Sequence, residues 1–330
     1  MRIADGTVET ILTGTVSCDP VRRTAWGTII VGEEAGPTTS PATPGGWLLE
    51  IISPLQTTHV HFDRVTGLLS GPDAGNVATR PAVGRLAFEG IALYPNGSCT
   101  TVTKTVQIRA RPAARTSSSF RAFRGPAARR SRISFSPRSS PAKSMDCVWA
   151  SAAGTPPLPT ATLKLSGYYR PEDADIDLKA LAAGLVRWCA NNTGNEGEDH
   201  NWGETICVTD GSFAEATANT ATPEVQYLVI GSPDLAMPDN IAYQPGRGNW
   251  IIHEDGDGPA VGRNNDLWSC QDDGEDADTL SDGCVRIATL NDLNAEWTGG
   301  IFDATGTRFF VSVQHNVTGH GVILEITGWR

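Results

Sequence analysis

No apolar run in this 330-residue chain approaches the roughly 20 residues that a membrane span needs. Positive charge is also in deficit. A net charge of -11 and a pI near 5.0 disfavour nucleic acid and anionic membranes as partners. Met1 leads straight into strand-like sequence, without the charged, apolar and small-residue succession of a secretory leader. The expectation is therefore a cytosolic protein or one whose N-terminus is missing. No Ser or Cys nucleophile motif stands out. The acidic run DDGEDADTLSDG from Asp272 lacks the spacing and terminal Glu of an EF-hand loop. His59 and His61, two apart, share one face of a strand, read here as a solvated face.

What is present is turn chemistry between short apolar strands. The words MPDNIAYQPGRGNWIIHEDGDG, DLWSCQDDGEDADTLSDGCVRIATL, EWTGGIFDATGTRFFVSVQHN and GVILEITGW run from Met237 to Trp329. They alternate Pro/Asp/Gly turns with strands such as Asn249 to His253 and Arg308 to Val313. The pattern predicts an all-β fold, a sandwich or a propeller. At roughly 40 to 45 residues per blade, the length allows about six or seven blades. Of the seven cysteines, Cys270 and Cys284 flank one polar loop and Cys189 and Cys207 flank another. Each pair could staple a hairpin in an oxidising compartment; the alternative is seven reduced thiols in a cytosolic protein.

Composition reverses between residues 98 and 157. Eleven of the 26 basic residues and one of the 37 acids fall there, so this segment carries +10 and the remainder -21. A basic disordered arm and an interdomain linker are two readings. The preferred one is translation out of frame: a shifted reading lets Cys99 to Gln107 spell YYGDENRP, and later stretches spell SGTPGGAYFKFI and GKVYGLRLG. Residues 1–97 and 158–330 are then two parts of one propeller, separated by a segment expected to form no strands.

CDPVRRTAWGTIIVGEE from Cys18, GRLAFEGIALYPNG from Gly84, YYRPEDADID from Tyr168 and the C-terminal words together resemble the PhoX family of alkaline phosphatases. The order and spacing of these words, rather than any one of them, carry the resemblance. It implies a secreted or periplasmic, monomeric β-propeller of about six blades, incomplete in this chain, whose mouth holds iron and calcium and hydrolyses small phosphate monoesters. The implied metal ligands are Cys18, Glu33 or Glu34, Glu89, Glu172, Asp239, Glu254 and Glu296. Cys18 would be the one authentic thiol left for iron.

Arg170, two residues before Glu172, would share its strand face and clamp a phosphate oxygen. Asn240, beside Asp239, would donate to another. Paired cations would hold the phosphoryl group and acidify a bound water. The alternatives are a calcium-dependent lactonase-type propeller and a non-catalytic, metal-stabilised interaction propeller.

Overall fold

The computed structural model describes residues 8–36, 44–81, 85–95, 99–103, 132–135, 143–148, 168–196, 200–218, 220–274 and 276–329. Strands dominate, as the turn-strand-turn grammar predicts, and the described residues fall into two compact units. Among the described residues, no helix is long and apolar enough to cross a membrane.

The first unit holds three sheets. One is β1 (Leu12–Thr13), β5 (Val60–Asp63) and β6 (Leu68–Ser70). The second runs in the order β2 (Cys18–Arg23), β3 (Ile29–Glu33), β4 (Leu48–Ile51) and β7 (Val77–Thr79). The third joins β8 (Phe88–Leu93) to β9 (Cys99–Thr103), β11 (Lys143–Val148) and β10 (Arg132–Phe135). Three strands therefore occur within residues 98–157, where none is expected from composition; the rest of that segment lies outside the described residues. Alternation sends Ile30 and Leu48 of the second sheet against Phe88 and Ile91, while Val31 and Leu49 turn to Val60 and Phe62. The sheet is thus buried on both faces.

The second unit repeats this plan more regularly. Its first sheet is the antiparallel meander β12 (Pro171–Ile176), β13 (Leu185–Asn192), β14 (Glu204–Ser212) and β15 (Glu224–Ile230). The next is β16 (Pro238–Tyr243), β17 (Trp250–Glu254), β18 (Asp266–Cys270) and β19 (Cys284–Thr289), and the last is β20 (Glu296–Phe302), β21 (Phe309–Gln314) and β22 (Val322–Ile326). The middle sheet lays Ile241, Trp250, Ile252 and Trp268 on Leu228 and Val229 of the first. It lays Ala242, Ile251 and Leu267 on Trp297, Phe309 and Val311 of the last. Burying a Leu, Ile or Phe side chain contributes about 1.5–3 kcal/mol, which is why β17 and β18 are apolar on both faces.

Both expected cysteine pairs are disulfides, Cys189–Cys207 and Cys270–Cys284. Each joins directly opposed residues of neighbouring strands. The sequence separations are 18 and 14, loops for which closure entropy supports about 3 kcal/mol each.

Candidate metal centre

Five sheets begin with a strand that carries a β-bulge near its start. The register against the second strand slips between Cys18 and Val21, Phe88 and Gly90, Pro171 and Ala174, Pro238 and Ile241, and Thr298 and Gly300. In four of them an acid lies within the slip: Asp19, Glu89, Glu172 with Asp173, and Asp239. In the fifth, Glu296 opens the strand just ahead of it. A bulge bends the strand and re-aims the side chain it carries, so the repeat places one carboxylate at the same end of each sheet.

The approach to the strand is also repeated. Ser17, Arg170 and Met237 directly precede their first strands with φ of 43°, 52° and 55°. Their carbonyls accept from the backbone N–H of Glu34 (2.7 Å), Thr193 (2.9 Å) and Asp255 (3.0 Å), each the residue after its second strand. A left-handed residue followed by a bulge defeats simple alternation. The expectation that Arg170 and Glu172 share a strand face through period-2 spacing is corrected here: Arg170 lies before β12, and the turn, not the strand, brings its Nε to 3.5 Å from Glu172 Oε1.

Two predicted ligands occupy the end of the second strand instead, and both are braces. Glu33 lies opposite Cys18, and its two oxygens accept from the N–H of Val16 (3.0 Å) and Trp47 (3.2 Å). Glu254 lies opposite Pro238 and accepts from the N–H of Ala236 (2.9 Å) and Asp266 (2.9 Å) in the same way. Each carboxylate therefore ties the approach to the first strand to the start of the third. Glu254 also accepts from the Trp268 indole (3.0 Å) and from Arg263 Nη1 (2.6 Å). Desolvation raises the pKa of both glutamates against these stabilising donors. With four donors converging on it, Glu254 has no oxygen left for a cation unless a strand tie breaks.

In the second unit Asp255 shares a hydrogen bond with Glu296, Glu296 also feels the charge of Asp239, and Arg170 links Asp255 to Glu172. Arg170 reaches both Glu172 and Asp255, the latter at 3.7 Å, with two-fifths of its side chain exposed. Asp239 Oδ2 accepts from Thr193 Oγ1 at 3.3 Å. Glu296 accepts from Gln314 Nε2 and lies 2.8 Å from His315 Nδ1. Burial, then a shared hydrogen bond with Asp255 and the charges of Asp255 and Asp239, push its pKa up to about 9 against the Gln314 bond. A buried carboxylate and its half-buried neighbours repel when ionised together, and a divalent cation between them relieves the repulsion. The donor set is oxygen-rich and suits calcium, and His315 adds an imidazole that iron accepts. Asn240 is buried, its carbonyl held by Asn191 Nδ2 (3.0 Å) and His253 Nδ1 (2.8 Å).

In the first unit a carboxylate oxygen of Asp19 lies within 4.8 Å of one of Glu89, both from bulges. Cys18 is a free, exposed cysteine, and partial desolvation with the charges of Glu33 and Asp19 raises its thiol pKa against a hydrogen bond from Thr15. Glu34 follows β3 as Asp255 follows β17. Asp19, Asp255 and His315 were not expected from sequence. Their signal was positional: Asp255 and His315 immediately follow second-strand ends, and Asp19 sits in the CDP word as Asp239 sits in PDN.

Known protein-family models and curated protein sequences give no match to this chain.

Proposed function

We propose that the chain is a secreted or periplasmic, metal-dependent phosphomonoesterase of the PhoX kind, its meander sheets serving as propeller blades. One observation carries this: Arg170 stands beside Glu172 and Asp255 where Glu296 and Asp239 crowd a site of excess negative charge. Without a cation such a site repels a phosphate ester. With one, a cation flanked by an arginine is what a phosphoryl group needs.

Glu172, Asp239, Asp255 and Glu296 would hold calcium, with His315 beside them for iron. Glu89, Asp19, Glu34 and Cys18 are the corresponding donors of the first unit. The bound metal supplies Lewis acidity and an acidified water. Arg170 binds a non-bridging phosphate oxygen through its exposed guanidinium, and its ion pairs with Glu172 and Asp255 aim it. Asn240, held through its carbonyl, presents its amide toward a second oxygen. Glu254, assigned as a ligand from the resemblance, is instead read as a brace that keeps the acid-bearing strand ends in place, while Glu33, with one donor on each oxygen, braces its strands and keeps acceptor capacity for a cation.

The test is turnover of an aryl phosphate set against a lactone, with metal analysis of the same dialysed sample. Calcium or iron with phosphate-ester turnover supports the reading. Lactone turnover alone would move it to a lactonase, and metal without turnover to an interaction propeller. Protein that holds neither metal sinks it.

A further inference from the structure

The acid pairs of the second unit are spaced by two buried asparagines that touch none of the carboxylates in the bonds described below. Asn265, 2% exposed, sits just before β18. Its Oδ1 accepts from Gly256 N (2.7 Å), and its Nδ2 donates to Gly256 O (3.1 Å) and to Ala295 O (3.1 Å). Gly256 follows Asp255, and Ala295 precedes Glu296. One amide therefore grips the backbone adjoining both members of the Asp255 and Glu296 pair, across two sheets. The Asn265 carbonyl accepts from the indole of Trp297, the residue after Glu296, at 3.1 Å.

Asn191 does the same one sheet earlier. Fully buried on β13, it donates through Nδ2 to the carbonyls of Asp239 (3.1 Å) and Asn240 (3.0 Å), both in the β16 bulge. Its Oδ1 accepts from Thr205 Oγ1 at 2.7 Å, so the amide cannot swing. Each asparagine thus binds at least one carbonyl of the neighbouring sheet beside an acid, a place where apolar packing would hold the strands but not fix the carboxylate spacing.

We propose that Asn265 and Asn191 are positioning residues, whose amides set the separation of the Asp255, Glu296 and Asp239 carboxylates and so the affinity of the site for a calcium-sized cation. The proposal rests on the cation-binding reading of this site. Partners behind metal ligands commonly govern affinity by about 10–100-fold. The same amides also support the fold, so the test must separate affinity from stability.

Asn249 supplies the control. It ties β17 to β18 at the opposite end of the same sheet, donating through Nδ2 to Ser269 Oγ at 3.1 Å. Full-length wild type, Asn265→Ala, Asn191→Ala and Asn249→Ala would be stripped with chelator, checked for cooperative melting, and titrated with calcium by calorimetry and with terbium by tryptophan-sensitised luminescence. Expected is a loss of about 10–100-fold in cation affinity for the first two variants and wild-type affinity for Asn249→Ala. Should Asn265→Ala fail to fold, Asn265→Ser and Asn191→Ala carry the test. Unchanged affinity in the folded asparagine variants, or an equal loss in Asn249→Ala, overturns the positioning role while leaving the site itself standing. Wild type that binds neither cation removes the site, and the positioning role with it.

Discussion

The sheets that begin at β2 and at β16 solve one problem with the same residue type. Glu33 and Glu254 both close the end of a second strand and both collect two backbone N–H groups from flanking segments. They differ in what balances the charge. Glu254 has Arg263, which bridges onward to Glu196 at 3.3 Å, and the Trp268 indole. Glu33 has the more distant charges of Arg64 and Arg85, which lower its pKa less than burial raises it. A repeated backbone frame therefore fixes where a carboxylate goes, while local neighbours decide whether it is a tightly neutralised strut or a lightly balanced one.

The comparison breaks most easily at Glu254. Replacing it by Ala leaves half-buried Arg263 with only Glu196 as partner and leaves the N–H groups of Ala236, Asp266 and the Trp268 indole unmet, and should cost about 3 kcal/mol in urea unfolding. A loss below ~1 kcal/mol would show that the brace is dispensable. Next in size is Arg170→Ala, which on the proposed mechanism lowers phosphate-ester turnover by about 10²–10³-fold while the melting temperature stays near that of wild type. Equal, mild effects of Arg170→Ala and Glu172→Gln on turnover would reduce their pair to a surface ion pair. Glu33→Ala, without an arginine to orphan, should cost less than Glu254→Ala, about 1–3 kcal/mol for two unsatisfied N–H groups. Finding the two equal would erase the distinction drawn between the sheets.

A test of a different kind, read through pH, concerns Glu296. Its carboxyl holds a proton up to about 9 in the fold against an ordinary value of 4.5. A group that binds its proton more tightly folded than unfolded favours the fold at low pH, and that contribution fades as pH climbs from 4.5 through about 9. In chelator, stability should fall across that window. A bound cation displaces the proton, so calcium affinity should rise by about tenfold per pH unit towards 9 if one proton is released. A flat calcium affinity from pH 6 to 9 would mean Glu296 is not among the ligands.

Much of the fold was legible because it rests on patterns that sequence carries. The strands expected at Asn249 to His253 and Arg308 to Val313 appear one residue later, as Trp250–Glu254 and Phe309–Gln314. The cysteine pairs were readable because each flanks a polar hairpin loop. The site was legible as residue types and not as roles. A bulge shifts alternation by one, so period-2 reasoning misplaced Arg170. The division between Glu254 as strut and Asp255, its neighbour, as a member of the acid cluster depends on which carboxylate meets the N–H groups of Ala236 and Asp266. No spacing rule records that choice.

The three left-handed residues ahead of the first strands have a consequence for how the molecule can change. Ser17, Arg170 and Met237 hold the same backbone posture, with their carbonyls spoken for, yet carry a hydroxyl, a guanidinium and a thioether. For a non-glycine residue this posture costs on the order of 1–2 kcal/mol, a cost similar for the unbranched side chains that stand at these three places. Where the side chain is exposed, at Ser17 and Arg170, the position is a socket whose wiring is fixed by main-chain bonds and whose fitting is interchangeable, while buried Met237 is also held by packing. A single codon change could add a guanidinium at exposed Ser17, or remove the one at exposed Arg170, without asking the sheets to refold.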